Sequence, residues 1–181
     1  MGLRAYGVTV LAAAAALWMM SGTQREKPVL AATLATPADA VRALESDCAA
    51  HPGDAVATAA LAQAYLTVRQ PGLAVGLVEG APAAVRDDVR VRQAYGRALM
   101  EAGRNVEALA VERGVVASCR PLTEGAPAPE GCDAFVFASA MRRADVLREL
   151  VSYGVNDTMA QPEMSLVAYQ NATREARVMV Q

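Results

Sequence analysis

The sequence predicts an all-α protein built of antiparallel helix hairpins, and three observations carry that expectation. Alanine supplies about a fifth of the 181 residues and aromatics only 4%, while Val, Ile and aromatics are too sparse for several strands. Apolar residues recur through the body at i, i+3, i+4 and i+7, the period of a helix face. One pattern of residues also returns at an interval of 34, long enough for a helix, a tight turn and a second helix.

Charge narrows the function. Seventeen basic residues against nineteen acidic ones leave a formal charge of −2, so there is no broad basic surface for phosphate backbones and no expectation of nucleic-acid binding. A single His argues against most histidine-based metal sites.

Met1 to Arg4 form a short positive start, and Ala5 to Met20 form an uncharged apolar run that ends at Ser21-Gly22. This predicts a secretory signal peptide or a retained signal anchor over residues 1–22. The run is short for a bilayer span, which favours a signal peptide. Met19 or Met20 at the −3 position of a cut after Ser21 or Gly22 favours an anchor, so both stay open. Either one places the rest outside the cytoplasm, as a periplasmic, secreted or membrane-anchored chain whose only membrane contact is this segment. Residues 23–36 carry mixed charge without a sustained period and read as a linker.

The helical body is expected over 37–181. Residues 38–51 form a lone helix with Val41, Leu44 and Cys48 along one stripe. Leu61, Ala62, Gln63, Ala64 and Tyr65, with Ala74 nine residues on, align with Tyr95, Gly96, Arg97, Ala98 and Leu99, with Ala108 nine residues on. The repeats are therefore set at about 55–88 and 89–118. In the first, Pro71, Gly72, Gly76, Gly80 and Pro82 should make the second helix short or bent. In the second, Val91, Ala94, Tyr95, Ala98, Leu99 and Ala102 form the core stripe of a helix capped by Asp88 and stopped by Gly103. Asn105 is expected to cap the partner helix, with Val106, Leu109, Ala110 and Val116 facing inward.

A Pro- and Gly-rich insertion follows Cys119. Beyond it a degenerate helix pair is expected over 133–154, with Asp133 capping Ala134–Met141 and Asp145 capping Val146–Tyr153 before Gly154. A closing helix over 162–180 starts at Pro162 and carries Leu166, Tyr169, Ala172, Ala176 and Met179 on one face.

These residues resemble the tetratricopeptide repeat. Leu61, Ala62, Tyr65, Ala74 and Ala81 match one repeat of the family, and Tyr95, Gly96, Leu99, Gly103 and Ala108 match the next. Stepping back 34 residues meets Ala40 and the family's closing proline at Pro52. The resemblance covers about residues 38–118 by motif and 133–181 by architecture alone. It implies a right-handed α-solenoid of about seven helices after the N-terminal segment, with terminal helices that solvate the stack.

The resemblance also implies a groove lined by the first helix of each repeat. Transferred position by position, its outward residues are Gln63, Leu66, Arg90, Gln93, Arg97 and Met100. Arg90, Gln93 and Arg97 share one helix face, and guanidinium forks there would suit an acidic segment or a C-terminal carboxylate of a protein or peptide partner. The expected function is a non-enzymatic adaptor or assembly factor, with no catalytic residue, no metal and no cofactor, since no nucleophile elbow, phosphate loop or metalloprotease motif is present.

Cys119 and Cys132 flank a 12-residue loop in an oxidising compartment and read as a disulfide, with two unpaired thiols as the other reading. Cys48 lies on an apolar stripe and reads as a small buried hydrophobe. The rival function is a thiol-dependent redox factor or enzyme using Cys48 or the Cys119/Cys132 pair. His51 sits where a cation favours a helix C-terminus, and the glycosylation sequon at Asn171-Ala172-Thr173 falls inside a predicted helix.

Overall fold

The structure is a computed structural model that describes residues 36–121, 125, 127–158 and 160–178, with the backbone alone for 175–178. The N-terminal apolar run, residues 23–35 of the linker, and Ala176 and Met179 of the last predicted stripe lie outside the described side chains. The described residues are all-helical, with no strand among them. None of their helices is long and apolar enough to cross a membrane.

The first helix, α1 (Pro37–Ala50), starts at Pro37, whose missing N–H costs nothing in a first turn. No residue of α1 is fully buried, and Val41, Leu44 and Cys48 are half-buried along its length. Next, α2 (Ala55–Thr67) is capped by Asp54, whose carboxylate accepts from the backbone N–H of Val56 at 2.7 Å and of Ala57 at 3.4 Å. Its buried residues include Leu61, Ala62 and Leu66. In the turn that follows, Arg69 adopts a left-handed φ of 60°.

Pro71 opens α3 (Pro71–Gly80) rather than interrupting it, and the helix is short because Gly80 and Pro82 end it. Behind Pro82 comes a four-residue helical turn, α4 (Ala83–Arg86). Asp88 then caps α5 (Val89–Glu101) by accepting from the backbone N–H of Arg90 at 2.8 Å. Val91, Ala94, Ala98 and Leu99 are buried on its inner face. Gly103, at φ 80°, closes this helix, and only glycine takes that conformation without strain.

Three expectations change in the second half. Asn105 is the first residue of α6 (Asn105–Cys119) and not its cap; it is fully buried, and its side chain donates to the carbonyl of Val155 at 3.1 Å. The buried stripe of α6 is Asn105, Ala108, Leu109, Glu112, Val115 and Cys119, while Val106 is 52% exposed and Ala110 faces solvent. Two polar residues on the inner face had displaced the apolar pattern by one position.

The second change is at residues 133–154, which form one helix, α7 (Ala134–Ser152), and not two. Asp133 caps it as expected, accepting from Val136 N–H at 2.7 Å. Asp145 sits mid-helix, paired with Arg148 at 2.9 Å, because Arg142, Arg143 and Ala144 before it are good helix formers that give no reason to stop. The third is the orientation of α8 (Pro162–Val178). Ala168 and Ala172 are buried, whereas Leu166 is 61% and Tyr169 49% exposed.

Each long helix packs on the next in sequence, and α5 also packs into the hairpin formed by α2 and α3. The main core joins Leu66, Ala74, Val78, Val91, Leu99, Leu109, Leu147 and Leu150. A second cluster of Val89, Val115, Cys119, Val136 and Ala140 surrounds the start of α7.

Candidate functional site

The six residues expected to line a groove do not make one open patch. Leu66 is 2% exposed and belongs to the main core, so it is withdrawn from the surface set. Met100 is half-buried against the same core, and Gln63 is exposed on α2. Arg90 forks onto Asp88 through Nε at 3.0 Å and Nη2 at 2.8 Å, and donates to Glu130 through Nη1 at 3.2 Å. Its stem lies across Gly131, where a Cβ would stand 2.8 Å from Arg90 Cγ. The Arg90 hydrogen bond holds the Asp88 carboxyl below the usual carboxylate range.

Gln93 donates to Ser139 Oγ at 3.3 Å, and Arg97 donates to Glu101 at 2.9 Å. The loop before α7 and the first turns of α7 thus occupy the face from which Arg90 and Gln93 were to capture a carboxylate, and each of the two arginines already has an acid of its own.

Cys119 and Cys132 form a disulfide with Cα atoms 5.4 Å apart. Cys119 is fully buried beside Val115 and Val136, which shields its sulfur from an attacking thiolate. Cys48 is free and half-buried, with Sγ 3.9 Å from Thr58 Oγ1. His51 Nδ1 lies 3.2 Å from an Asp47 carboxylate oxygen on the surface. Asn171 Nδ2, the atom a glycan would occupy, donates to Tyr153 Oη at 2.6 Å within α8. No group of three metal-ligating side chains occurs among the described residues.

The most buried charge is one that sequence reasoning missed. Glu112 is fully buried on α6, and both carboxylate oxygens accept from Arg143 of α7, at 2.6 Å from Nε and 3.1 Å from Nη2. Burial pushes the Glu112 carboxyl up, and the Arg143 guanidinium offsets part of that rise. Gly96 of α5 makes the room: a Cβ there would stand 2.5 Å from Glu112 Oε1. The available signal was a carboxylate among Leu109, Val115 and Val116 at helical spacing, which asks for a basic partner from a neighbouring helix.

A second arrangement recurs. Tyr65 Oη donates to Glu45 at 2.8 Å, and Tyr95 Oη donates to Glu79 at 3.1 Å. The two glutamates are 34 residues apart, on α1 and α3, while the tyrosines are 30 apart. Burial and the hydrogen bond to Glu45 push the Tyr65 hydroxyl up to about 12, and Tyr95 is raised for the same two reasons. Beside each tie is an open depression. The one at Tyr65 holds about 350 Å³ and is lined by Cys48, Leu61, Leu77 and Pro82; the one at Tyr95 holds about 360 Å³ and is lined by Val78, Arg86, Arg92 and Val111.

A third depression of about 490 Å³ runs between α7 and α8, lined by Phe137, Met141, Arg142, Asp145, Tyr169 and Ala172. Exposed apolar side chains surround it: Phe135 at 77%, Leu166 at 61% and Met141 at 43%. The sequence placed Leu166 and Tyr169 on a buried face; the structure turns them out. Comparison with protein-family models, with curated proteins and with solved structures finds no match to this chain.

Proposed function

We propose that residues 37–181 form a short right-handed α-solenoid of the tetratricopeptide type, and that the chain is a non-enzymatic, extracytoplasmic adaptor or assembly factor that docks a segment of another protein. The order of packing, with α5 seated in the hairpin before it, and the recurrence of the Glu–Tyr tie on glutamates 34 residues apart support the repeat reading. The Cys119–Cys132 disulfide is compatible with an oxidising compartment.

The observation that carries the docking function is the outer face of α7 and α8. Phe135, Met141, Leu166 and Tyr169 stand exposed around one groove, and apolar side chains gathered in this way on a soluble surface mark interaction sites. Guanidinium groups at Arg90 and Arg97 are already paired, so docking moves from the expected patch to this apolar face. An amphipathic helix laid along it would bury its apolar side as a further helix of the stack would.

The test places a photo-crosslinking phenylalanine at position 169, or at Ser46 on the exposed side of α1, in protein expressed in its own envelope. The expected result is one discrete protein adduct from position 169, absent from position 46 and lost when Leu166→Glu is added with helicity retained by circular dichroism. Identical adducts from both positions, or an adduct indifferent to Leu166→Glu, would overturn the reading.

A further inference from the structure

The depression at Tyr95 differs from its counterpart at Tyr65 in carrying two arginines. Its floor and walls are apolar: Val78 of α3, Ala110 and Val111 of α6, and the ring of Tyr95 of α5. Arg86, at the end of α4, reaches its rim and has no hydrogen-bond or ion-pair partner among the described residues. Arg92 of α5 lies on the other side. Its Nη2 donates to Asp87 at 2.8 Å, while Nη1 faces Gly114, where even an added Cβ would remain 3.9 Å away.

The nearby carboxylates are already engaged. Asp87 accepts from Arg92, and Glu79 accepts from Tyr95 Oη at 3.1 Å and from Arg104 Nη1 at 2.8 Å. What remains is one guanidinium without a counter-ion, a second with a free edge, and an apolar hollow of about 360 Å³ between them. A guanidinium edge matches a carboxylate in plane and spacing. One uncompensated positive charge suits a singly charged anion better than a phosphate dianion, which would also face Glu79. The apolar floor asks that the anion carry an aliphatic body.

We propose that this depression binds an aliphatic carboxylate, with Arg86 and the free edge of Arg92 holding the carboxylate and Val78, Tyr95 and Val111 holding the aliphatic group. Two sources share that chemistry: the C-terminal residue of a polypeptide and a free small carboxylic acid. The site is independent of the α7–α8 face, and Gly114 is what keeps it open, since a larger residue at that position of α6 would fill it.

The experiment is calorimetric titration of the full chain with three probes: the peptide Ala-Ala-Leu-Val as the free acid, the same peptide amidated at its C-terminus, and N-acetylvaline. Binding of the free acid about tenfold or more tighter than the amide is the expected result, a factor in keeping with a charge-assisted bidentate contact. N-acetylvaline then assigns the source: affinity equal to that of the peptide acid points to a free carboxylic acid, and much weaker affinity points to a chain terminus. Arg86→Gln removes an exposed side chain without a partner, and Gly114→Leu fills the hollow with a better helix former. Both should abolish the preference for the free acid while circular dichroism stays unchanged. Equal affinity for acid and amide, no binding of either, or a preference that survives both substitutions would overturn the proposal.

Discussion

Replacing Arg143 with Met would leave the Glu112 carboxylate fully buried with no donor, because both of its oxygens take their hydrogen bonds from that one guanidinium. Removing one partner of a buried ion pair costs about 3–5 kcal/mol. Arg143 is itself 18% exposed, which favours the lower end of that range. The stranded carboxylate also has an escape, since it can take up a proton. From an ordinary value of about 4.3, protonation at neutral pH costs about 3.7 kcal/mol, at about 1.4 kcal/mol per pH unit. The expected loss for Arg143→Met near pH 7 is therefore about 3 kcal/mol.

The sign of the pH dependence follows from the same group. Burial holds the folded Glu112 pKa above its unfolded value, and loss of Arg143 raises it further. A raised folded pKa gives stability that is complete below the unfolded value and lost as pH rises through the folded one. The variant should thus recover toward the parent on acidification, by up to about 1.4 kcal/mol per pH unit between about pH 7 and pH 5. Denaturant unfolding followed by circular dichroism across that range reads both quantities. A loss that is the same at every pH, or below about 1 kcal/mol at neutral pH, would show that water reaches the carboxylate and refute the argument. Adding Glu112→Leu to Arg143→Met should return most of the loss.

Gly96→Ala should destabilise by about 1–3 kcal/mol through crowding of Glu112, although Ala is the better helix former; in a Glu112→Ala background the same change should turn stabilising, and a double-mutant cycle in denaturant reads the reversal. Reducing the Cys119–Cys132 disulfide, which closes a separation of 13 residues, should lower stability by about 3 kcal/mol in the chain-entropy model, visible as a fall in the denaturation midpoint with added reductant. Tyr65 should stay protonated to about pH 12 in the folded chain, so stability contributed by the Glu45 tie is lost as pH climbs from about 10, the unfolded value, to about 12. Absorbance titration of the parent against Glu45→Gln checks this, with a lower ionisation expected in the variant.

The parts of the fold legible in the sequence were those written in single residues with local causes. Asp88, Gly103, Asp133 and Gly154 mark real helix boundaries, because a cap or a left-handed stop depends on a few neighbouring backbone groups. The half-buried stripe Val41, Leu44 and Cys48 was readable for the same reason, as a simple apolar period. What was illegible depends on contacts between helices. Glu112 counts as polar in any periodicity, yet it is buried because Arg143, 31 residues on, meets it. Asn105 is the residue type of a cap, yet it serves a carbonyl 50 residues away. The arginine site was legible in kind and not in place: Arg90 and Arg97 have acids beside them, whereas Arg86 and the free edge of Arg92 are recognisable only once α3, α4, α5 and α6 are assembled.

The two Glu–Tyr ties bear on how such a chain can change over time. In the aligned helices Leu61 stands opposite Tyr95, and Tyr65 opposite Leu99, so the tyrosine has moved by one helical turn while the glutamates have kept their interval. Both starting points deliver a hydroxyl to the corresponding carboxylate, since positions four apart share a helix face. A tyrosine and a leucine can therefore trade places within this helix without breaking the tie between successive layers. The architecture tolerates exchanges that scramble its residue pattern, and its ancestry is better traced through recurring contacts than through recurring letters.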